Sequence, residues 1–160
     1  MTITAAVLTV STSVAAGVRS DRSGDLLVAL VGEAGAELVD RAVVADRANE
    51  IQGWLRRQVS AGVALALTTG GTGLTADDVT PEASRLVIER DAPGIAEAMR
   101  AESLRQTPMG MLSRGVAGVA GRTLIVNFPG SPRAVQELFG VVAPVLAHAV
   151  ALVQGERVEH

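Results

Sequence analysis

Val63-Ala64-Leu65-Ala66-Leu67-Thr68-Thr69-Gly70-Gly71-Thr72-Gly73 decides the fold of this chain. Val63 to Leu67 is an unbroken apolar run of strand length, the pattern of a strand buried on both faces. It passes directly into three glycines within four residues, where backbone N–H groups stand uncovered by any Cβ. Thr80-Pro81 then opens a helix, with Thr80 as N-cap, Pro81 at the first helical position and Glu82–Arg90 continuing it. Buried strand, glycine turn and helix in succession form the repeating unit of a parallel sheet.

The same alternation runs outward in both directions. Upstream, Ile3–Val10 reads as a buried first strand. Asp21-Arg-Ser-Gly-Asp25 leads into a helix carrying Leu26, Leu27, Leu30 and Val31 on one face, with Gly35 placed to stop it. Ala36–Val44 is a second strand. Asp46 and Asn49 offer cap side chains to a helix that buries Ile51, Leu55 and Val59, flanked by Trp54. Downstream, Ile95–Ser103 is helical, and Arg114–Ala120 and Arg122–Asn127 form a hairpin about Gly121. Ser131-Pro132 caps a last helix with Val135, Leu138, Phe139 and Val142 on its buried face, which Pro144 kinks or divides. The expected fold is a single three-layer α/β domain over residues 1–160. Its sheet is open and mostly parallel, carries one antiparallel hairpin and is flanked by helices on both faces.

Composition narrows the chemistry. The chain has 160 residues, a hydrophobic fraction of 48% and a net charge of -3, so nothing electrostatic points to nucleic acid or to an anionic membrane. All 14 basic residues are Arg, and Lys, Cys and Tyr are absent. That removes Schiff-base chemistry, the lysine of a phosphate-binding Walker loop, thiol nucleophiles and cysteinyl metal sites. His148 lies in the apolar run Val141–Val153 and His160 is terminal, so a Ser-His-Asp hydrolase is disfavoured. The N-terminus lacks a basic leader region, and Val141–Val153 falls short of the roughly 20 residues of a membrane span. A cytoplasmic protein is expected.

Ligands of such sheets bind beyond the carboxyl ends of the strands. Three features are expected there. Gly70-Gly-Thr-Gly73, with the Thr68, Thr69 and Thr72 hydroxyls, is either a phosphate cradle or a tight strand-to-helix turn. Pro129-Gly-Ser-Pro132 is either an anion site at a helix N-terminus or simply a good cap. Asp46, Asp77 and Asp78 are expected at the same edge. Carboxylates beside phosphates call for an intervening cation such as Mg²⁺, unless they are merely solvated.

Thr68-Thr-Gly-Gly-Thr-Gly-Leu-Thr-Ala-Asp-Asp-Val-Thr-Pro-Glu-Ala83 resembles the signature of the MogA/MoaB family of molybdopterin-binding proteins, which includes the gephyrin G domain. Asp21-Arg-Ser-Gly24, Val44-Ala-Asp46, Ala92-Pro-Gly94, Met111-Leu-Ser-Arg114, Gly118–Asn127 and Pro129-Gly-Ser131 extend the likeness over nearly the whole chain. The resemblance implies a homotrimer that binds molybdopterin. In catalytic members it implies adenylyl transfer from ATP with Mg²⁺, giving adenylylated molybdopterin and pyrophosphate, followed by a downstream metal-insertion protein. By the same likeness Asp46 and Asp78 are catalytic and hold Mg²⁺. Thr69, Gly70, Gly71, Thr72 and Gly73 cradle phosphate, and Pro129, Gly130 and Ser131 line the opposite side. Ser113 and Arg114 join the substrate site, although Arg114 is equally suited to a salt bridge at a subunit contact.

Three departures stand out. Ser11-Thr-Ser13 lacks the aspartate many members carry after the first strand, Ala45 replaces a proline, and Asp77 replaces a basic residue. They keep a second reading open, a non-catalytic MoaB-like trimer that binds molybdopterin or its precursor. A dinucleotide-binding Rossmann enzyme is disfavoured, because the glycine spacing is not G-x-G-x-x-G.

Overall fold

The computed structural model describes residues 2–158; His160 lies outside the described residues. Six strands form one sheet: β1 (Thr4–Val10), β2 (Glu37–Val44), β3 (Leu65–Thr69), β4 (Arg90–Asp91), β5 (Ala117–Ala120) and β6 (Thr123–Phe128). Their spatial order is β2-β1-β3-β6-β5-β4. β2, β1, β3 and β6 are parallel neighbours, whereas β6–β5 and β5–β4 pair antiparallel. The expected hairpin is therefore present, turning at Gly121 with φ +55°. The two-residue β4 has no counterpart in the sequence pattern.

Helices cover both faces, as three layers require. They are α1 (Thr12–Ala15), α2 (Arg22–Glu33), α3 (Ala48–Ser60), α4 (Thr80–Arg85), α5 (Pro93–Gln106) and α6 (Pro132–Val153), with a 3₁₀ turn at Pro108–Leu112. The period-2 alternation of β1 sorts the layers: Ala5 and Val7 face α2, α5 and α6, while Ala6, Leu8 and Val10 face α3 and α4. Because both faces are covered, β3 and β6 are buried at every residue. Edge strand β2 is mostly exposed, so its apolar pattern is the weaker one.

Several boundaries differ from the sequence reading. Trp54 lies in the core at 1% exposure, with its indole N–H donating to Asp40 Oδ2 at 3.0 Å. Neither Asp46 nor Asn49 caps α3; its N-cap is Arg47, without a side-chain hydrogen bond. Thr80 is the first residue of α4 and Val79 its N-cap, because the Thr80 hydroxyl turns inward to the Gly70 carbonyl at 2.9 Å. That helix stops at Arg85, and Arg90 enters β4.

Pro144 does not divide α6, which runs through it for 22 residues. Pro144 and Gly140 both lie on the exposed side, so the Gly140 carbonyl that loses its helical donor faces water. By length and composition α6 is long and apolar enough to cross a membrane. Its stripe from Val135 to Val150 is nevertheless part of the sheet-packed core.

Candidate functional site

The chain leaves β1 for β2 on one side and returns to β3 on the other, so the sheet reverses its winding between β1 and β3. That switch point is where an α/β sheet opens a crevice. A cleft of about 280 Å³ lies there, floored by Thr9, Val10, Thr69 and Gly70 at the strand ends.

Close backbone contacts shape the floor. Gly70 has φ +99°, and a β-carbon there would stand 2.3 Å from the Val10 carbonyl oxygen. A β-carbon on Gly130 would stand 3.3 Å from Gly70 Cα. The Thr69 hydroxyl donates to the Pro129 carbonyl at 2.8 Å, and Gly70 N–H donates to the Phe128 carbonyl at 3.0 Å. The loops after β1, β3 and β6 thus meet with no side chain between them. Gly71, at φ +68°, comes next; a β-carbon on it would sit 2.3 Å from Thr80 Oγ1. Thr80 clips the loop twice, through its hydroxyl to Gly70 and its N–H to the Gly71 carbonyl at 3.1 Å.

Asp46 enters the cleft from the end of β2. Its Oδ2 accepts from Thr12 N–H at 2.9 Å and from the Thr12 hydroxyl at 2.8 Å, while Asp46 N–H donates back to Thr12 Oγ1 at 3.1 Å. Its Oδ1 takes no hydrogen bond among the described residues and lies 3.4 Å from the place of a Gly71 β-carbon. On the far side, Gly130 and Pro132 bring the N-terminus of α6, where Ser131 Oγ accepts from Ala134 N–H at 3.3 Å.

Not every expected residue meets the cleft. Asp78 does not line it: its Oδ2 accepts from Thr75 N–H at 3.0 Å and from the Thr75 hydroxyl at 2.8 Å, closing a turn on the glycine loop. Asp77 is exposed on that turn, and Thr72 is buried beneath it. Gly73 packs against the Asp78 carboxylate. Among the described residues no three Asp, Glu or His side chains converge as a metal set. His148 is exposed on α6 and does not line the cleft.

Arg114 makes its contacts with groups of its own chain. It is a brace within the chain, donating from Nε to the Gly73 carbonyl and from Nη2 to the Asp78 carbonyl, each at 2.7 Å, and pairing with Glu82. The Arg114 hydrogen bond holds the half-exposed Glu82 carboxyl below its ordinary range. Ser113 and Arg114 line a separate hollow with Arg85 and Arg100.

The sequence reading misses the wall formed by Arg19, Ser20, Asp21, Arg22 and Ser23. Asp21 anchors it, accepting from the Thr9 hydroxyl at 2.8 Å, Gly24 N–H at 3.0 Å and Arg41 at 3.0 Å. A β-carbon on Gly24 would fall 2.2 Å from the Asp21 carboxylate, which explains the glycine. The available signal is two arginines and two serines around one aspartate, directly after the first strand of the switch point. Arg19, Arg22 and the α6 N-terminus bring positive potential to the cleft, beside the Asp21 and Asp46 carboxylates.

The chain is similar to known proteins over most of its length. Residues 6–148 match the family described as "Probable molybdopterin binding domain". The chain is 42% identical over 153 residues to the Drosophila melanogaster molybdenum cofactor synthesis protein cinnamon, covering 94% of this chain and 26% of that one. It is 42% identical over 91 residues to the Helicobacter pylori molybdopterin adenylyltransferase, covering 57% of this chain and 52% of that one. It thus spans about a quarter and about half of those two relatives. The crystal structure of the molybdopterin biosynthesis enzyme MoaB from Thermus thermophilus superposes with a TM-score of 0.91 at 43% identity, covering 98% of this chain and 99% of that one. The chain belongs to the MogA/MoaB family of molybdopterin-binding domains.

Proposed function

We propose that this protein serves molybdenum cofactor biosynthesis as a molybdopterin adenylyltransferase. The terminal phosphate of molybdopterin attacks the α-phosphorus of ATP, the bond to the β-phosphate oxygen breaks, and pyrophosphate leaves. One observation carries the reading: a cleft floored by close-packed backbone, in which the Asp21 carboxylate is taken up by Thr9, Gly24 and Arg41 while Asp46 keeps one oxygen without a hydrogen bond among the described residues. The nucleophile belongs to the substrate, so the lack of Cys and Lys is no obstacle. Positioning and charge stabilisation suffice.

The donor set fits Mg²⁺, which is held by one or two carboxylates together with substrate phosphates. Asp46 Oδ1 would hold it, and the cation would supply charge neutralisation between that carboxylate and the phosphates. The chain's own residues do the rest. Gly70, Gly71 and Gly130 let phosphate oxygens approach the backbone, and Arg19 and Arg22 counter the developing charge. Asp78 shapes the glycine loop from behind. A homotrimer is part of the proposal, supported by Met109 and Met111, 65% and 63% exposed beside Leu112. So are a cytoplasmic location, which supplies ATP, and delivery of the product to a metal-insertion protein.

A second reading, a MoaB-like trimer that binds molybdopterin without turnover, is favoured by the placement of Asp78 outside the cleft lining. The deciding assay follows pyrophosphate from purified protein, molybdopterin, ATP and Mg²⁺, beside Asp46→Asn and Asp78→Asn. Release that needs every component and is lost in Asp46→Asn supports the enzyme. Pterin binding without release supports the binding module. In Asp78→Asn the side-chain amide keeps a carbonyl oxygen that can accept both Thr75 bonds, so the turn is expected to survive; loss of folding there would mark Asp78 as structural.

A further inference from the structure

Thr12 meets Asp46 in a way a carboxylate side chain could not reproduce. It is the first residue of α1, so its N–H has no helical partner and is taken by Asp46 Oδ2. Its hydroxyl donates to that same oxygen while accepting from Asp46 N–H. Only a hydroxyl performs both tasks at one atom; an ionised carboxylate accepts but does not donate. Two donors on Oδ2 fix the carboxylate plane and leave Oδ1, beside Gly71, without a hydrogen bond among the described residues.

We infer that Thr12 is the positioning residue that presents Asp46 to a divalent cation through Oδ1 alone. The inference rests on the proposed meeting of Asp46 with a phosphate-bound cation. Thr12 does not itself line the cleft, so it acts through Asp46. Single-oxygen presentation suits Mg²⁺, which demands tight octahedral geometry, better than a larger ion that takes both carboxylate oxygens.

The test measures Mn²⁺ binding by electron paramagnetic resonance in the presence of ATP, for the full chain and for Thr12→Ser, Thr12→Val and Thr12→Ala. Removing the partner that orients a metal-binding carboxylate weakens affinity roughly 10-fold or more. Half-saturating Mn²⁺ is expected to rise by about that factor in Thr12→Val and Thr12→Ala, and to stay within about twofold in Thr12→Ser. Trp54 fluorescence on unfolding serves as the control for folding. Equal binding in Thr12→Val and wild type overturns the inference. So does a Thr12→Ser variant as weak as Thr12→Val, or a wild type that binds no Mn²⁺ with ATP. Pyrophosphate release in the same samples reports separately on adenylyl transfer. Thr12-dependent Mn²⁺ binding without release would remove the enzyme reading and leave this one standing.

Discussion

Arg114 and Glu82, 32 residues apart in the chain, close an ion pair that the same guanidinium extends to the Gly73 and Asp78 carbonyls. One planar fork therefore fastens the glycine loop to α4. Lys keeps the charge but has no fork, so it cannot serve both carbonyls and the carboxylate together. Arg114→Lys is expected to lose about 1–3 kcal/mol of stability, the range for part-buried carbonyls left unpaired. Urea unfolding followed at Trp54, the only tryptophan, measures it. An unchanged midpoint would show that the loop holds its shape without the brace.

The same pair gives stability a pH dependence of known sign. Arg114 depresses the Glu82 carboxyl in the folded chain, and unfolded Glu titrates near 4.3. The contribution is therefore present above roughly pH 4.3 and is lost as pH falls through the lower folded value. With the Glu82 side chain 50% exposed, its size is held below about 1 kcal/mol by solvent screening. Between pH 5 and pH 3 the urea midpoint of wild type should fall further than that of Glu82→Gln. Parallel curves would remove Glu82 from the acid response.

Gly71 is assigned to the phosphate cradle, so Gly71→Val is expected to block ligand entry. The geometry of Gly71 adds a cost to the fold itself. A left-handed backbone costs an L-residue about 1–2 kcal/mol, and contact with Thr80 Oγ1 adds about 1–3 kcal/mol of overpacking. Gly71→Ala should destabilise the chain by roughly 2–5 kcal/mol before any ligand is present, and Val by more. Thermal unfolding of the ligand-free variant checks this; a melting temperature equal to wild type would restore Gly71 as a pure entry residue.

These outcomes mark where the sequence is informative. β1, β3 and β6 are legible because burial on both faces leaves continuous apolar runs, and the glycine loop because it directly follows one of them. β4 is two residues long and carries no periodicity. The Thr80-Pro81 signal marks the right helix but the wrong cap, since the inward hydrogen bond to Gly70 competes with capping and is visible only in three dimensions. Asp46 is identifiable by its place after β2. Its link to Thr12 spans 34 residues and has no local signature. Asp21-Arg-Ser-Gly24 carries part of the family likeness, but Arg19–Ser23 are not assigned to the site because a loop rich in Arg, Ser and Asp also reads as ordinary surface.

Asp77 offers a prediction that separates electrostatics from architecture. It is exposed on the turn that Asp78 and Thr75 close, and the Thr75–Asp78 bonds do not involve its side chain. Asp77→Arg changes the local charge by two without removing any of those contacts. Stability should stay within about 0.5 kcal/mol, as for surface substitutions away from structural features. A polyphosphate approaching the glycine loop would meet attraction in place of repulsion. ATP binding is then expected to tighten about 2–5-fold at low ionic strength, with the gain shrinking as salt rises toward 1 M, where the screening length falls to about 3 Å. Calorimetric titration of ATP at two salt concentrations measures both. A gain that ignores salt would point to a new direct contact, and no gain at low salt would place the polyphosphate away from this turn.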